Sequence, residues 1–342
     1  MRSLRPGESR AVLIGVADYP DGGDFASVEA ALHNVLRLKG LLTDPAYAGF
    51  HGTPEYTRSL VNPQTGEGVR AAVKRAAEQA TDVLFVYYVG HGSRVGIERE
   101  LYLTSCTTAG AESVVTTGLR YTVLRDLLRA ARARVVVLVL DCCFSGVAAK
   151  VLGGDDAVVE ELAEEELLDR AALKEDVDDG LLDGVCVLAS SGPTQTSGAD
   201  GVLGAADLTT FTGHFVASLE NREDNDREPL LLSTLFLRTE RRMHRAKVPQ
   251  KPVMAIVGTA DRLIMRQAAV VPAPAPMEGV AADPAPVPGD DARPENDARR
   301  LLTWRTPAGD LDVFDPALAE RIIALHQGAF EEKWKGGDDG QR

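Results

Sequence analysis

Residues 135–148 read VVVLVLDCCFSGVA. Six apolar residues, four of them valine, run into an acid, two adjacent cysteines and a Ser-Gly turn. A run so short and continuous fits a strand covered on both faces, not the alternating pattern of a strand with one wet face. Four other runs have the same character: residues 11–16 (AVLIGV), 83–89 (VLFVYYV), 185–190 (VCVLAS) and 253–257 (VMAIV). Between them, residues 27–42, 68–80, 122–131, 209–220 and 233–247 carry apolar residues at helical spacing, several opened by Ser or Thr in N-cap position. Alternation of this kind predicts an α/β sandwich around a mainly parallel sheet. In such sheets, ligands and catalytic groups sit at the carboxyl ends of the strands.

Composition narrows the partners. A chain of 342 residues, 44% of them hydrophobic, can build a sizeable core. A net charge of -14 has the wrong sign for phosphate-driven attraction to nucleic acid or to an anionic membrane, so neither is expected, and a basic peptide or protein fits better. No window approaches 18 uninterrupted apolar residues, and the first residues lack an apolar segment ending in a small-residue cleavage site, so a cytoplasmic location is expected. Four cysteines without framework spacing suit reduced thiols.

Two stretches break the α/β pattern. Residues 155–183 hold 13 acids against two bases, Arg170 and Lys174, which reads as a solvated, partly helical insertion. Residues 269–296 are too rich in Pro and Ala to pack and read as an extended linker. The chain then regains apolar residues, giving three parts: 1–268, the linker, and a C-terminal helical segment over 297–342. In that last part Asp315 and Pro316 make an N-cap and first-turn pair, and Leu318, Ile322, Leu325, Ala329 and Phe330 follow at helical spacing toward Trp334. The helix either docks on the preceding domain or anchors a partner protein or a second copy. Both tryptophans, Trp304 and Trp334, lie in this part, and tryptophan is enriched among residues that carry binding energy.

The sequence has no phosphate loop, no H-E-x-x-H, no C-x-x-C and no G-x-S-x-G elbow. What remains is cysteine and histidine. The strand at 83–89 runs into GHGS, with His91 between two glycines; the strand at 135–140 runs into DCCFSG. Alone, the first is an ordinary turn and the second a pair of buried thiols. Together, at two strand ends of one sheet, they point to a thiol and an imidazole facing the same crevice.

At this point the chain resembles the bacterial caspase-like cysteine proteases of the caspase and metacaspase clan. FVYYVGHGS is similar to the histidine motif, VLDCCFSG to the metacaspase form Asp-Ser-Cys-His-Ser-Gly, and VLASSGPTQTSGAD at 187–200 to the small-subunit stretch. His91 and Cys143 are 52 residues apart, and a histidine about 50 residues upstream of the cysteine is a caspase pattern. The resemblance covers roughly residues 8–268 and implies a three-layer α/β/α sandwich. It implies that Cys143 is the nucleophile, with Cys142 in the family's serine position, and that His91 holds the thiol proton and gives one to the departing amine. Backbone N–H groups of Gly92 and Cys143 would form the oxyanion hole.

For specificity, the resemblance implies that Asp141 lines the first pocket and receives Arg or Lys, where caspases that cut after aspartate carry Gln. The family's Asn-Asp pair in the first helix, which adds a second acid, aligns here with His33-Asn34, so Asn34 joins the pocket without a charge. Ser190, Ser191 and Gln195 are candidates for the rim. Activation cleavage in this clan falls between the cysteine motif and the small-subunit strand, which makes Arg170 and Lys174 the self-cleavage candidates. No cofactor or metal is required by this chemistry, although the acidic insertion could take calcium weakly as an activator. A stress or defence setting is implied by the family alone. The alternative function is a catalytically quiet caspase-fold adaptor.

Overall fold

The computed structural model describes residues 1–96, 100–142, 177, 180, 182–190, 208–221 and 228–268, and the backbone of residues 302–306 and 309–313. In chain order the first elements are β1 (Arg10–Gly15), α1 (Ala30–Thr43), β2 (Thr57–Val61), α2 (Gly66–Gln79) and β3 (Val83–Val89). Next come β4 (Gly92–Val95), β5 (Glu100–Leu103), α3 (Ala111–Thr117), β6 (Leu119–Arg120), α4 (Tyr121–Arg129) and β7 (Val135–Asp141). They are followed by β8 (Gly184–Ala189), α5 (Thr210–Glu220), β9 (Leu230–Leu231), α6 (Leu232–Arg245), β10 (Val253–Gly258) and β11 (Ile264–Arg266).

Six strands form one sheet in the order β10-β8-β7-β3-β1-β2. Neighbours pair in parallel from β2 to β8, and β10 closes one edge antiparallel to β8. Every residue of β1, β3, β7 and β8 is buried, as continuous apolar runs covered on both faces require. The chain passes from β1 outward to β2 and then back across β1 to β3. Right-handed crossovers therefore put α1 and α2 on opposite faces. α1 packs against α5, which packs against α6, while α2 packs against α4, giving helix–sheet–helix layers. The five strands and five helices read from the sequence are all present; β2 and the short antiparallel sheet β4-β5-β6 are additional.

Register fixes what meets at each end of the sheet. Val83 pairs with Val135 and Val89 with Asp141 across β3 and β7. Val135 pairs with Gly184 and Leu140 with Ala189 across β7 and β8. At the amino ends, Asp82, Arg134 and Asp183 therefore come side by side, and Arg2 bridges Asp82 and Asp183. Arg134 holds Asp183 with a two-pronged contact, one prong being Nε at 2.9 Å. Arg5 adds its backbone N–H to Asp82 at 2.6 Å. Burial works to raise the Asp82 pKa, and Arg2 and Arg5 outweigh it and hold the carboxyl below its ordinary value. Arg134 does the same for Asp183.

The chain divides into two compact units, Met1–Ala268 with Pro307–Gly309, and Ala269–Thr306 with Asp310–Arg342. The segment expected to be helical over 297–342 contains two strands that pair with each other, β12 (Leu302–Thr306) and β13 (Gly309–Val313). Alternating residues in LTWRT and GDLDV suit a two-stranded ribbon. The helix expected from Asp315 onward lies outside the described residues. Among the described residues no helix is long and apolar enough to cross a membrane.

Candidate active site

His91 follows β3 after a single glycine. Gly90 has φ +154°, and a Cβ there would lie 2.9 Å from the Tyr88 hydroxyl and 3.0 Å from Val16, so the turn that presents His91 requires glycine. The histidine backbone is then gripped from both sides. Its N–H donates to the Tyr19 hydroxyl at 2.9 Å, and its carbonyl accepts from the Tyr88 hydroxyl at 2.9 Å. Thr104 completes the grip: its hydroxyl lies 2.7 Å from that of Tyr19, and its backbone N–H donates to the His91 carbonyl at 3.2 Å. The hairpin of β4 and β5 causes this, since pairing Gly92 with Leu103 returns Thr104 beneath His91.

The imidazole itself is fixed by a third contact. Nε2 lies 2.8 Å from the Ala26 carbonyl, which can only accept, so Nε2 carries the proton. Nδ1 is left as the acceptor. The ring sits edge-on to Tyr19, with centroids 4.9 Å apart, and 5.2 Å from Phe25. Burial holds the imidazole below its ordinary pKa of 6.5, against the opposing pull of the Ala26 carbonyl, so it is neutral at pH 7. A neutral, tautomerically fixed histidine at a strand end is the form a general base needs.

Asp141 ends β7 one strand over and is 3% exposed. Its carboxylate accepts from the hydroxyl of Thr209 and, at 2.6 Å, from that of Thr212. The Ser190 side chain and the Thr212 backbone N–H add to these. Thr209 is the N-cap of α5 yet makes no side-chain cap bond of its own; Asp141 takes the cap's place from the neighbouring strand. Burial raises its pKa above 3.8 and the hydroxyl donors oppose that, while no cation pairs with it among the described residues.

Cys142, the next residue, is fully buried. By strand alternation it faces away from Asp141, toward the side of Tyr19 and Tyr88, whose phenol pKa values burial raises first and the neighbouring Cys142 raises further. Cys142 thus belongs to the packing on the Tyr19 and Tyr88 side, beneath His91.

Of the remaining sequence candidates, Gly92 begins β4 beside His91 and is buried. Ser190 is fully buried, with its hydroxyl 3.3 Å from the Cys142 carbonyl. Asn34 is also fully buried, 2.6 Å from Thr209 and 3.0 Å from Tyr87, and Thr209 in turn donates to Asp141. Cys143, Ser191, Gln195, Arg170 and Lys174, with the insertion that would take calcium, lie outside the described residues. Sequence reasoning missed Tyr19, Tyr88, Thr104 and Thr212. The signal open to it was polar side chains beside apolar runs, which must find partners: Tyr19, Tyr88 and Thr104 near the ends of β1, β3 and β5, and Thr212 in the first turn of α5.

The α/β sandwich thus carries a fixed histidine after β3, and in the sequence a cysteine motif follows the neighbouring strand β7. A caspase-domain sequence profile matches residues 8–263, and the chain belongs to that family of cysteine peptidases, whose substrates are proteins. A search of curated protein sequences returns no match. Among solved structures, a Geobacter sulfurreducens protein is 18% identical over 76% of this chain and 97% of its own, with a TM-score of 0.47. Caspase-1 from Spodoptera frugiperda is 12% identical over 79% of this chain and 94% of its own, with a TM-score of 0.48.

Proposed function

We propose that the chain is a cysteine endopeptidase that cuts proteins after a basic residue, arginine in preference to lysine. Cys143 is its nucleophile, and it acts in the cytoplasm in the stress or defence setting implied by the family. The supporting observation is the His91 tautomer: Nε2–H on the Ala26 carbonyl leaves Nδ1 free to take the thiol proton. Val89 and Asp141 are register partners, so His91 and Cys143 each follow a matched pair by two residues on strands that lie about 4.8 Å apart. In this reading Nδ1 removes the thiol proton, and the thiolate adds to the scissile carbonyl. The oxyanion is met by the N–H groups of Gly92 and Cys143, and the imidazolium returns its proton to the departing amine. Water then attacks the thioester by the same route in reverse.

Basic specificity is supported by the surroundings of Asp141. Among the described residues only neutral donors reach this buried carboxyl, burial raises its pKa, and a substrate guanidinium would favour its ionised form with two hydrogen bonds. Arg170 and Lys174 remain the proposed self-cleavage sites, being the basic residues of the acidic insertion. The test is a thiol-reactive peptide ketone ending in arginine. Labelling that disappears in Cys143→Ala supports the proposal. A wild-type protein that neither labels nor cuts any peptide library member would leave the quiet adaptor as the better account.

A further inference from the structure

The family's second pocket acid is replaced here by Asn34, and the hydrogen bonds around it have a direction. Its Oδ1 accepts from the Thr209 backbone N–H at 3.1 Å, which fixes the orientation of the amide. Both protons of Nδ2 are then given away, one to the Thr209 hydroxyl at 2.6 Å and one to the Tyr87 hydroxyl at 3.0 Å. Because Thr209 receives from Asn34, its own proton goes to Asp141. Because Tyr87 receives likewise, its proton passes to the Thr212 hydroxyl at 2.8 Å, and the proton of Thr212 goes to Asp141 at 2.6 Å. Two donor chains therefore start at one buried amide and converge on Oδ2 of one carboxylate.

We propose that Asn34 is a positioning residue of the specificity pocket, holding the Asp141 carboxyl in one orientation through Thr209, Tyr87 and Thr212. The inference rests on Asp141 being the pocket carboxylate. It explains why a second acid does not belong at position 34 of this chain. Aspartate there would have no proton to give, the Thr209 hydroxyl would face two carboxylates, and the buried pair would share a proton. The titratable group coupled to Asp141 from β3 is Tyr87, whose phenol burial holds well above 10. The other groups that reach Asp141 are neutral donors: Ser190 from the end of β8, and Thr209 and Thr212 from α5.

The test is steady-state cleavage of a peptide with arginine at the cut position, alongside iodoacetamide alkylation of Cys143, which needs no basic pocket. Asn34→Asp is expected to raise KM about tenfold, the scale of a lost hydrogen bond to a charged group, and to move the acid limb of kcat/KM to higher pH. The alkylation rate should stay unchanged. Tyr87→Phe, which cuts one chain without adding a charge, should move KM in the same direction by less, and it decides the matter if Asn34→Asp does not fold. An Asn34→Asp enzyme that cuts basic peptides better than wild type would overturn the inference, as would Tyr87→Phe with KM and acid limb both unmoved. A wild-type enzyme that alkylates at Cys143 but does not cut after arginine or lysine removes the pocket reading itself, a distinguishable failure.

Discussion

The two ends of the same six-stranded sheet treat their acids in opposite ways. At the amino ends, Asp82 and Asp183 are met by the guanidinium groups of Arg2, Arg5 and Arg134, and both carboxyls are held below their ordinary values. At the carboxyl ends, Asp141 is met by hydroxyls, and burial pushes it above its ordinary value. One end uses charge to hold strands together. The other surrounds its acid with neutral hydroxyl donors, and no cation pairs with it among the described residues.

Substitutions at the two ends test this difference. The largest effect is expected at the dyad: Cys143→Ala or His91→Ala should lower kcat/KM on an arginine peptide by about 10³-fold or more, the scale seen when a member of such a unit is removed. Retention of full activity in either variant would end the peptidase reading. Next comes Asp141→Asn, expected to cost about 2–4 kcal/mol in kcat/KM on basic peptides, as loss of a buried charge partner does. Its unfolding midpoint in urea should move less than that of Asp82→Asn. That third variant breaks a paired acid and should cost about 2–3 kcal/mol of stability, at the low end for buried pairs because the arginines are partly exposed. If Asp141→Asn unfolds as readily as Asp82→Asn, the two ends are not different in kind. Smallest is Tyr19→Phe, which removes one grip on the His91 backbone and should lower kcat about tenfold while leaving KM near wild type.

The same contrast predicts opposite pH signs. The folded states of Asp82 and Asp183 bind their protons more weakly than the unfolded chain. Their stabilisation is therefore present above about 3.8 and is lost as pH falls below it. Asp141 binds its proton more tightly when folded. Its ionisation costs stability above its raised pKa, and that cost is relieved as pH falls toward 3.8. His91 is held low when folded, so protonating it costs stability as pH falls below 6.5. Urea midpoints of wild type and each aspartate-to-asparagine variant, followed from about pH 2 to pH 8, would read these signs separately.

How far the chain could be read before folding follows from this arrangement. Continuous runs such as 83–89 and 135–140 announce buried strands, because an apolar stretch of that length has no other stable place. His91 and the cysteine motif stand out because reactive residues directly follow those runs. β2 was not legible: TRSLV has one buried residue followed by four half-buried ones, as suits a sheet edge, and it lacks the apolar run that marks the interior. Asn34 was legible as a position but not as a role, since the direction of a hydrogen-bond chain depends on which residues α5 brings to β7 from 68 or more residues away. Tyr19 and Thr104 were missed for the same reason, their contact spanning 85 residues.

The connection between β7 and β8 bears on how long the protein lasts. Six matched pairs join those strands, and Asp183 is anchored at the start of β8 by Arg134. Cutting the chain between the two strands would leave those pairs to hold two pieces together. Refolding, however, becomes a meeting of two molecules, and its rate falls with dilution. A nicked enzyme that unfolds in a dilute solution would return more slowly the greater the dilution, whereas refolding of an intact chain is independent of concentration. Cleavage would thereby act as a clock: the protein's lifetime after processing is set by its unfolding rate alone. Refolding yield measured against concentration, for nicked and intact protein side by side, reads that clock directly.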